Sequence, residues 1–190
     1  LCLMLALGMV SVLLSLATPN FLTFQNWVIV LRQISINGIL AVGVTFVLLT
    51  GGVDLSLGSL VALTGVVAAH FAHAAWVTGG AGAAPVSTGF RELPVAVPVA
   101  LGVLAGAACG AVNGLAVTLG RVAPFIVTLG TMTAARGLAE VLSGGKPVST
   151  LTPAFTAIGG GTWLGVPNQI LILAAVSIAG WAGVFSASHG

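Results

Sequence analysis

The chain has 190 residues, of which 4% are Asp, Glu, Lys or Arg and 58% are hydrophobic, with a formal net charge of +2. A soluble domain has roughly 25% charged residues, so this sequence has too few polar residues to cover a globule in water. The thinly spread charge predicts no nucleic-acid partner. The hydrophobic residues form continuous runs, which excludes a membrane β-barrel and predicts an all-α, polytopic integral membrane protein in a lipid bilayer.

Six apolar runs follow one another along the chain. They cover residues 1–18, 27–50, 55–76, 93–119, 125–142 and 169–187. A helix crosses a bilayer in about 20 residues, so we predict about six transmembrane helices in a single transmembrane domain over residues 1–190. Residues 77–92 and 149–168 are expected to be aqueous loops. Because the first run already starts at Leu1, we expect the chain to be part of a longer one, truncated at both ends.

The chain is organised around a polar segment at residues 50–59, which separates the second run from the third. Asp54 is the only acidic residue in the first 91 positions, and an acid between two such runs is costly without a specific role. We predict a break between two helices, where glycines let the backbone leave the helix and Asp54 and Ser56 cap the next one. Alternatively, this segment acts as a gate or contacts a transported solute. The residues of the predicted break and gate are Gly51, Gly52, Asp54, Ser56, Gly58 and Ser59.

Four further polar residues lie inside the apolar runs, where polar side chains usually face protein and not lipid. They are Asn37, Thr45, Thr128 and Thr131. Their amide and hydroxyl groups could line a polar path for a solute. The alternative is that they form hydrogen bonds between helices.

The fourth run contains a regular series of glycines. They are Gly102, Gly106, Gly110 and Gly114. A spacing of four residues places all of them near one face of a helix, which predicts a surface for close packing against another helix.

The sequence shows no group of residues typical of a catalytic or metal site. It has no nucleophile with a matching base and no phosphate-binding loop, so we expect no catalytic residues. His70 and His73 lack a third ligand nearby, and no metal site is expected. Arg136 and Glu140 are four residues apart in the fifth run, where they can face each other along a helix. We interpret them as a structural ion pair.

Several collinear segments of the chain match the pattern of a known family. They are Pro19-Asn20-Phe21 and residues 37–45, 49–59, 120–130, 135–138 and 144–148. Together these segments resemble the permease subunit of bacterial ABC importers for monosaccharides, of the ribose and xylose type. The resemblance extends from Pro19 to about Val148.

The resemblance implies a permease in the bacterial inner membrane that works as a dimer of subunits with about ten helices each. It also implies two cytoplasmic ABC ATPase subunits, which would bind ATP and Mg²⁺, and a periplasmic sugar-binding protein. No cofactor is expected on this chain, which would be the N-terminal part of its subunit, with residues 50–59 on the cytoplasmic side. One alternative is an ion-coupled secondary transporter of a small neutral solute, with Asp54 or Glu140 as coupling site. A third is a membrane scaffold that transports nothing.

Overall fold

The computed structural model describes residues 2–72 and 93–189, with side chains as far as Val184 in the second range. In these ranges the chain forms seven α-helices and one small antiparallel hairpin. The helices are α1 Cys2–Ala17, α2 Phe24–Leu49, α3 Leu57–Phe71, α4 Ala96–Thr118, α5 Pro124–Ser143, α6 Pro153–Gly160 and α7 Asn168–His189. The strands are β1 Thr162–Trp163 and β2 Val166–Pro167.

Each of the six apolar runs contains one helix, so the all-α, polytopic membrane fold is confirmed. By length and composition, α2, α4 and α5 are able to cross a membrane, whereas the described apolar parts of α1, α3 and α7 are shorter. The number of six membrane crossings therefore stays a prediction. The predicted loop at residues 77–92 lies outside the described residues.

The second predicted loop, at residues 149–168, is not a simple loop: it contains α6 and the hairpin. Pro153 is in the first turn of α6, where proline is favoured because its missing N–H is not needed. Just before it, the N–H of Thr152 donates to the carbonyl oxygen of Ala72 at 2.9 Å, which ties this segment to the end of α3. The prediction overlooked that a proline can start a helix as well as interrupt one.

The predicted break is confirmed, since α2 ends at Leu49 and α3 begins at Leu57. Gly51 has a φ of 75°, in the left-handed region that side chains disfavour. The N–H of Gly51 donates to the carbonyl of Leu48 at 3.0 Å, and the N–H of Gly52 donates to that of Val47 at 3.1 Å. This is the Schellman pattern that ends helices at a glycine and satisfies their last carbonyl groups.

The chain divides into two compact units, which are described separately. The unit at Val42–Gly161 is built around α3, which packs against both α4 and α5. Its small core contains Leu63 of α3 and Ala135 and Ala139 of α5, next to partly buried Cys109 of α4. Alanines at these positions let the helices approach closely.

The glycine series of α4 is used in two different ways. A Cβ atom on Gly102 would lie 3.1 Å from Cβ of Ala68 and 3.2 Å from the carbonyl oxygen of Thr64, and one on Gly106 would lie 3.3 Å from Cγ2 of Thr64. These two glycines pack closely on α3, as predicted. At Gly110 and Gly114 an added Cβ meets no described atom within 4 Å. The expectation that all four form one packing surface is therefore wrong for the second pair.

The other unit contains residues up to Ala41 together with those from Thr162 onward. In it α2 lies beside α7, where a Cβ atom on Gly38 would approach Cδ1 of Leu173 to 2.8 Å. The hairpin leads directly into α7 and β2 packs against it. Whether the two units form the single predicted domain stays a prediction.

The two uses of glycine on α4 predict opposite responses to the same substitution. We expect Gly102→Ala to lower the free energy of unfolding by about 1 kcal/mol relative to Gly110→Ala, because the new methyl group overpacks the contact with α3. Both substitutions raise helix propensity equally, so Gly110→Ala is a matched control. Thermal unfolding of the purified protein in detergent measures the difference. Equal unfolding temperatures would show that α3 and α4 do not pack closely at Gly102.

Candidate functional site

The break, the second half of α4 and the start of α5 surround a cavity of about 510 Å³. Gly110 and Gly114 form part of its wall, which explains why no described atom lies near them. Its polar lining comes from all three elements. These polar residues are Thr50, Asp54, Asn113, Thr118 and Thr128.

Asp54 shapes the backbone that enters α3. Its Oδ1 atom accepts hydrogen bonds from the backbone N–H of Ser56 at 2.7 Å and from the Ser56 hydroxyl at 2.5 Å. A carboxylate that accepts the N–H two residues later forms an Asx turn, which fixes a bend without help from other segments. Asp54 therefore satisfies a backbone donor at the break, as the sequence predicts.

Ser56 does not act as predicted. It occupies the residue before the first turn of α3, but its hydroxyl makes no capping hydrogen bond with the helix. The hydroxyl instead donates to Asp54 and accepts a hydrogen bond from Nδ2 of Asn113 at 3.3 Å. Ser56 is fully buried. Its role in the structure is to connect the break to α4.

Asn113 continues this connection to α5. Its Oδ1 atom accepts a hydrogen bond of 2.5 Å from the hydroxyl of Thr131, while its Nδ2 group donates to Ser56. A continuous series of hydrogen bonds therefore runs from Asp54 through Ser56 and Asn113 to Thr131. Asn113 is only 7% exposed, so little water is available to replace these bonds. Bonds in such surroundings are costly to break.

Thr128 provides a second link between the break and α5. Its hydroxyl lies 3.3 Å from the carbonyl oxygen of Val53 and equally far from that of Phe125 in its own helix, so one proton is shared between two acceptors. Thr128 is buried and also lines the cavity. The start of α5 and the break are thus joined at two points.

The structure brings together only some of the residues that the sequence singled out. Thr128 of α5 contacts the break directly and Thr131 is linked to it through Asn113. Asn37 and Thr45 are exposed on α2 and are not among the residues that line the cavity. Asn37 belongs to the other unit. The polar path predicted from all four residues therefore stays a prediction.

Gly58 and Ser59 lie outside the cavity, although they belong to the predicted break and gate. Both are in the first turn of α3 and line a separate groove of about 270 Å³ with Arg136 and Glu140. Nε of Arg136 lies 3.9 Å from Oε1 of Glu140, and the two side chains are 76% and 69% exposed. An ion pair at that distance and exposure contributes little to stability.

Asn113 was overlooked by the sequence analysis, which recorded only the glycines around it. The available signal was that Asn113 is the only amide side chain in the fourth apolar run. A polar group at such a position usually faces other protein groups.

Among the described residues, no three His, Cys, Asp or Glu side chains form a group able to hold a metal ion. His70 is exposed, and His73 lies outside the described ranges.

Comparison with known proteins shows what this chain resembles. Residues 26–187 match the family described as branched-chain amino acid transport system / permease component. The chain is 40% identical over 182 residues to the ribose import permease protein of Escherichia coli K12, covering 94% of this chain and 51% of the relative. It is 36% identical over 180 residues to the ribose import permease protein of Haemophilus influenzae, covering 93% and 50%.

A third relative is the L-arabinose ABC transporter permease protein of Azospirillum brasilense. The identity is 39% over 157 residues, covering 83% of this chain and 41% of the relative. The chain thus spans about half the length of the curated relatives that it matches. No solved structure matches the chain.

The buried position of Asn113 predicts a loss of stability when its amide is removed. We expect Asn113→Ala to lower the free energy of unfolding by about 1–3 kcal/mol, because hydrogen bonds to Ser56 and Thr131 are lost in a site that water reaches poorly. Thr118→Ala is the control, since Thr118 is exposed and bonds only to Gly114 in its own helix. Denaturant unfolding in detergent measures both. If Thr131→Val adds its full effect to Asn113→Ala, the two side chains are not coupled.

The geometry of Asp54 predicts that its shape matters more than its charge. Asp54→Asn keeps an oxygen that can accept both bonds from Ser56, so we expect a change in unfolding free energy below about 0.5 kcal/mol. Asp54→Leu removes the acceptor and leaves the N–H of Ser56 without a hydrogen bond, so we expect a larger loss of unfolding free energy. Thermal unfolding and solute uptake by the full-length protein compare the two. If the Asn variant is as damaged in uptake as the Leu variant, the negative charge itself is required.

Proposed function

Because this chain belongs to the branched-chain amino acid transport system / permease component family, we propose that it forms part of the permease of an ATP-driven importer for a monosaccharide. The cargo that we propose is a pentose or hexose of the ribose or xylose type. A permease is a transporter component and not an enzyme. The relatives support a sugar as cargo, since their names include ribose and L-arabinose permeases.

The cavity beside the break is the observation that carries this proposal. Its volume of about 510 Å³ falls within the roughly 300–1,000 Å³ that small-molecule sites occupy. Its described lining offers hydroxyl groups, the amide of Asn113 and one carboxylate, that of Asp54, and no basic side chain. Such a lining suits a neutral solute with many hydroxyl groups, whereas a charged solute would need opposite charges along its path.

We assign the break the role of a gate at this cavity. The backbone from Gly52 to Ser56 is not helical. It can therefore move without breaking a series of helical hydrogen bonds. Two links hold it in the observed position, from Val53 to Thr128 and from Ser56 to Asn113. A change in these links would alter the wall of the cavity and the positions of α4 and α5 together. Coupling between distant sites needs such an element with two arrangements.

The remaining parts of the transporter would come from other chains. The sequence has no phosphate-binding loop of the Gly-x-x-x-x-Gly-Lys-Ser/Thr type, so ATP and Mg²⁺ would bind to partner ATPase subunits. We further propose a second permease subunit and a periplasmic sugar-binding protein as partners. The proposed location is the bacterial inner membrane. All of these partners concern the whole subunit, of which this chain covers about half by comparison with its relatives.

Uptake by vesicles tests the proposal. The full-length permease is reconstituted with its ATPase and binding protein, and uptake of labelled ribose, xylose and L-arabinose is measured with and without ATP. We expect uptake of at least one sugar that stops when ATP is removed. Uptake that continues without ATP while a proton or sodium gradient is held would instead support the ion-coupled transporter.

The open space at Gly110 predicts that a large side chain there blocks the cavity without damaging the fold. We expect Gly110→Leu to lower sugar uptake by roughly 10–200-fold, the range by which an extra group in a pocket discriminates against a ligand. Its unfolding temperature should stay near that of the parent protein, because no described atom lies within 4 Å of the added Cβ. Gly8→Leu on α1 is the control, since Gly8 is equally open and lies outside the cavity. Uptake that is equally high in both variants would remove this cavity from the transport path.

A further inference from the structure

The turn between β1 and β2 exposes two large apolar side chains. Trp163 is 66% exposed and Leu164 is 85% exposed, the latter at the tip of the hairpin. Single exposed apolar residues are common on protein surfaces and need no explanation. Trp163 at the end of β1 and Leu164 in the adjoining turn are a different case, because the hairpin fixes where both side chains project.

The backbone of this turn makes the leucine unexpected. Leu164 and Gly165 have φ values of 51° and 78°, so both central residues of the turn are left-handed. This is the pattern of a type I′ hairpin turn, for which Asn-Gly is the favoured sequence. A leucine is sterically disfavoured in this conformation. Turn chemistry therefore does not explain Leu164.

The position of the hairpin limits what that contact can be. Strand β2 ends at Pro167 and α7 begins at the next residue, Asn168. Asn168 is only four positions after Leu164, a distance of at most about 14 Å when fully extended. If α7 enters the hydrocarbon near its polar first residues, Asn168 and Gln169, the tip lies within reach of the interfacial layer of the bilayer, about 5–8 Å thick on each side.

The charge of the surrounding sequence favours lipid over a soluble protein as the contact. From Pro147 to Ser188 the chain contains no Asp, Glu, Lys or Arg. A docking surface for a soluble protein has a polar and charged rim, which this hairpin does not have in its own sequence. Tryptophan is enriched at the membrane–water interface because its ring is apolar and its N–H can donate to lipid or water.

We propose that the hairpin tip, Trp163 and Leu164, inserts into the interfacial layer of the lipid bilayer and anchors the start of α7. Contact with lipid removes the two side chains from water and offsets the steric disadvantage of Leu164. This inference does not depend on which solute the protein transports.

Fluorescence quenching by lipids tests the depth of Trp163. The full-length protein carries Trp163 alone, with every other tryptophan replaced by phenylalanine, and is placed in vesicles of neutral phosphatidylcholine. The lipids carry a spin label either at the headgroup or in the middle of the acyl chain. We expect the headgroup label to quench Trp163 more strongly than the mid-chain label. A protein with Trp181 alone is the control, since Trp181 lies 13 residues into α7, about 20 Å along the helix. It should be quenched more strongly by the mid-chain label.

A second variant separates insertion from mere proximity. Leu164→Asn introduces the residue that this turn favours, so the hairpin should form at least as well. We expect weaker headgroup quenching and a red shift of Trp163 emission, while quenching of Trp181 in a matched protein stays unchanged. Trp163 emission typical of water, with no quenching by either label, would overturn the proposal. So would a blue shift that appears only when a secreted sugar-binding protein is added, since the tip would then contact that protein.

Discussion

The buried amide of Asn113 is the group on which the arrangement of the break, α4 and α5 depends. It has a donor and an acceptor on one rigid plane, and it uses the first for Ser56 and the second for Thr131. An apolar residue would bind neither partner. Because the amide is almost completely buried, water cannot take over either bond. One side chain therefore links the break to both α4 and α5, beside the separate hydrogen bond from Thr128 to Val53.

Packing around Asn113 depends on the glycines of α4, which have no side chain. On α4 the first two glycines allow α3 to come close, and the last two leave the space that becomes the cavity. The change occurs between Gly106 and Gly110, just before Asn113, which lies between the two open glycines. A helix face made of one residue type thus serves close packing at one end and an opening at the other. What differs is the facing segment: the helix α3 at one end, and the irregular backbone of the break at the other.

The charged residues Asp54, Arg136 and Glu140 lie in two separate places, at the break and on an exposed face of α5. The carboxylate of Asp54 accepts hydrogen bonds from the backbone N–H and the hydroxyl of Ser56. These bonds keep the negative charge at the break between α2 and α3. Arg136 and Glu140 stay on an exposed face of α5 and line a different groove. The cavity and the ion pair are therefore separate features, and Asp54 is the one charged residue among those that line the described cavity.

The sequence by itself determined the class of the protein, the positions of six helices, the break and the resemblance to sugar permeases, which the comparisons confirm. These features depend on local properties of the sequence. They are apolar runs long enough to cross a bilayer, glycines that end a helix, and an acidic residue between two apolar runs. Only the tertiary structure decided which polar residues meet. Asn113 pairs with residues 57 and 18 positions away, and no periodic pattern specifies such partners. For the same reason the sequence could not show that Thr128 lines the cavity while Asn37, Thr45 and Thr131 are not among its lining residues. Burial and hydrogen bonding depend on the helices that face a residue, and the sequence does not show these.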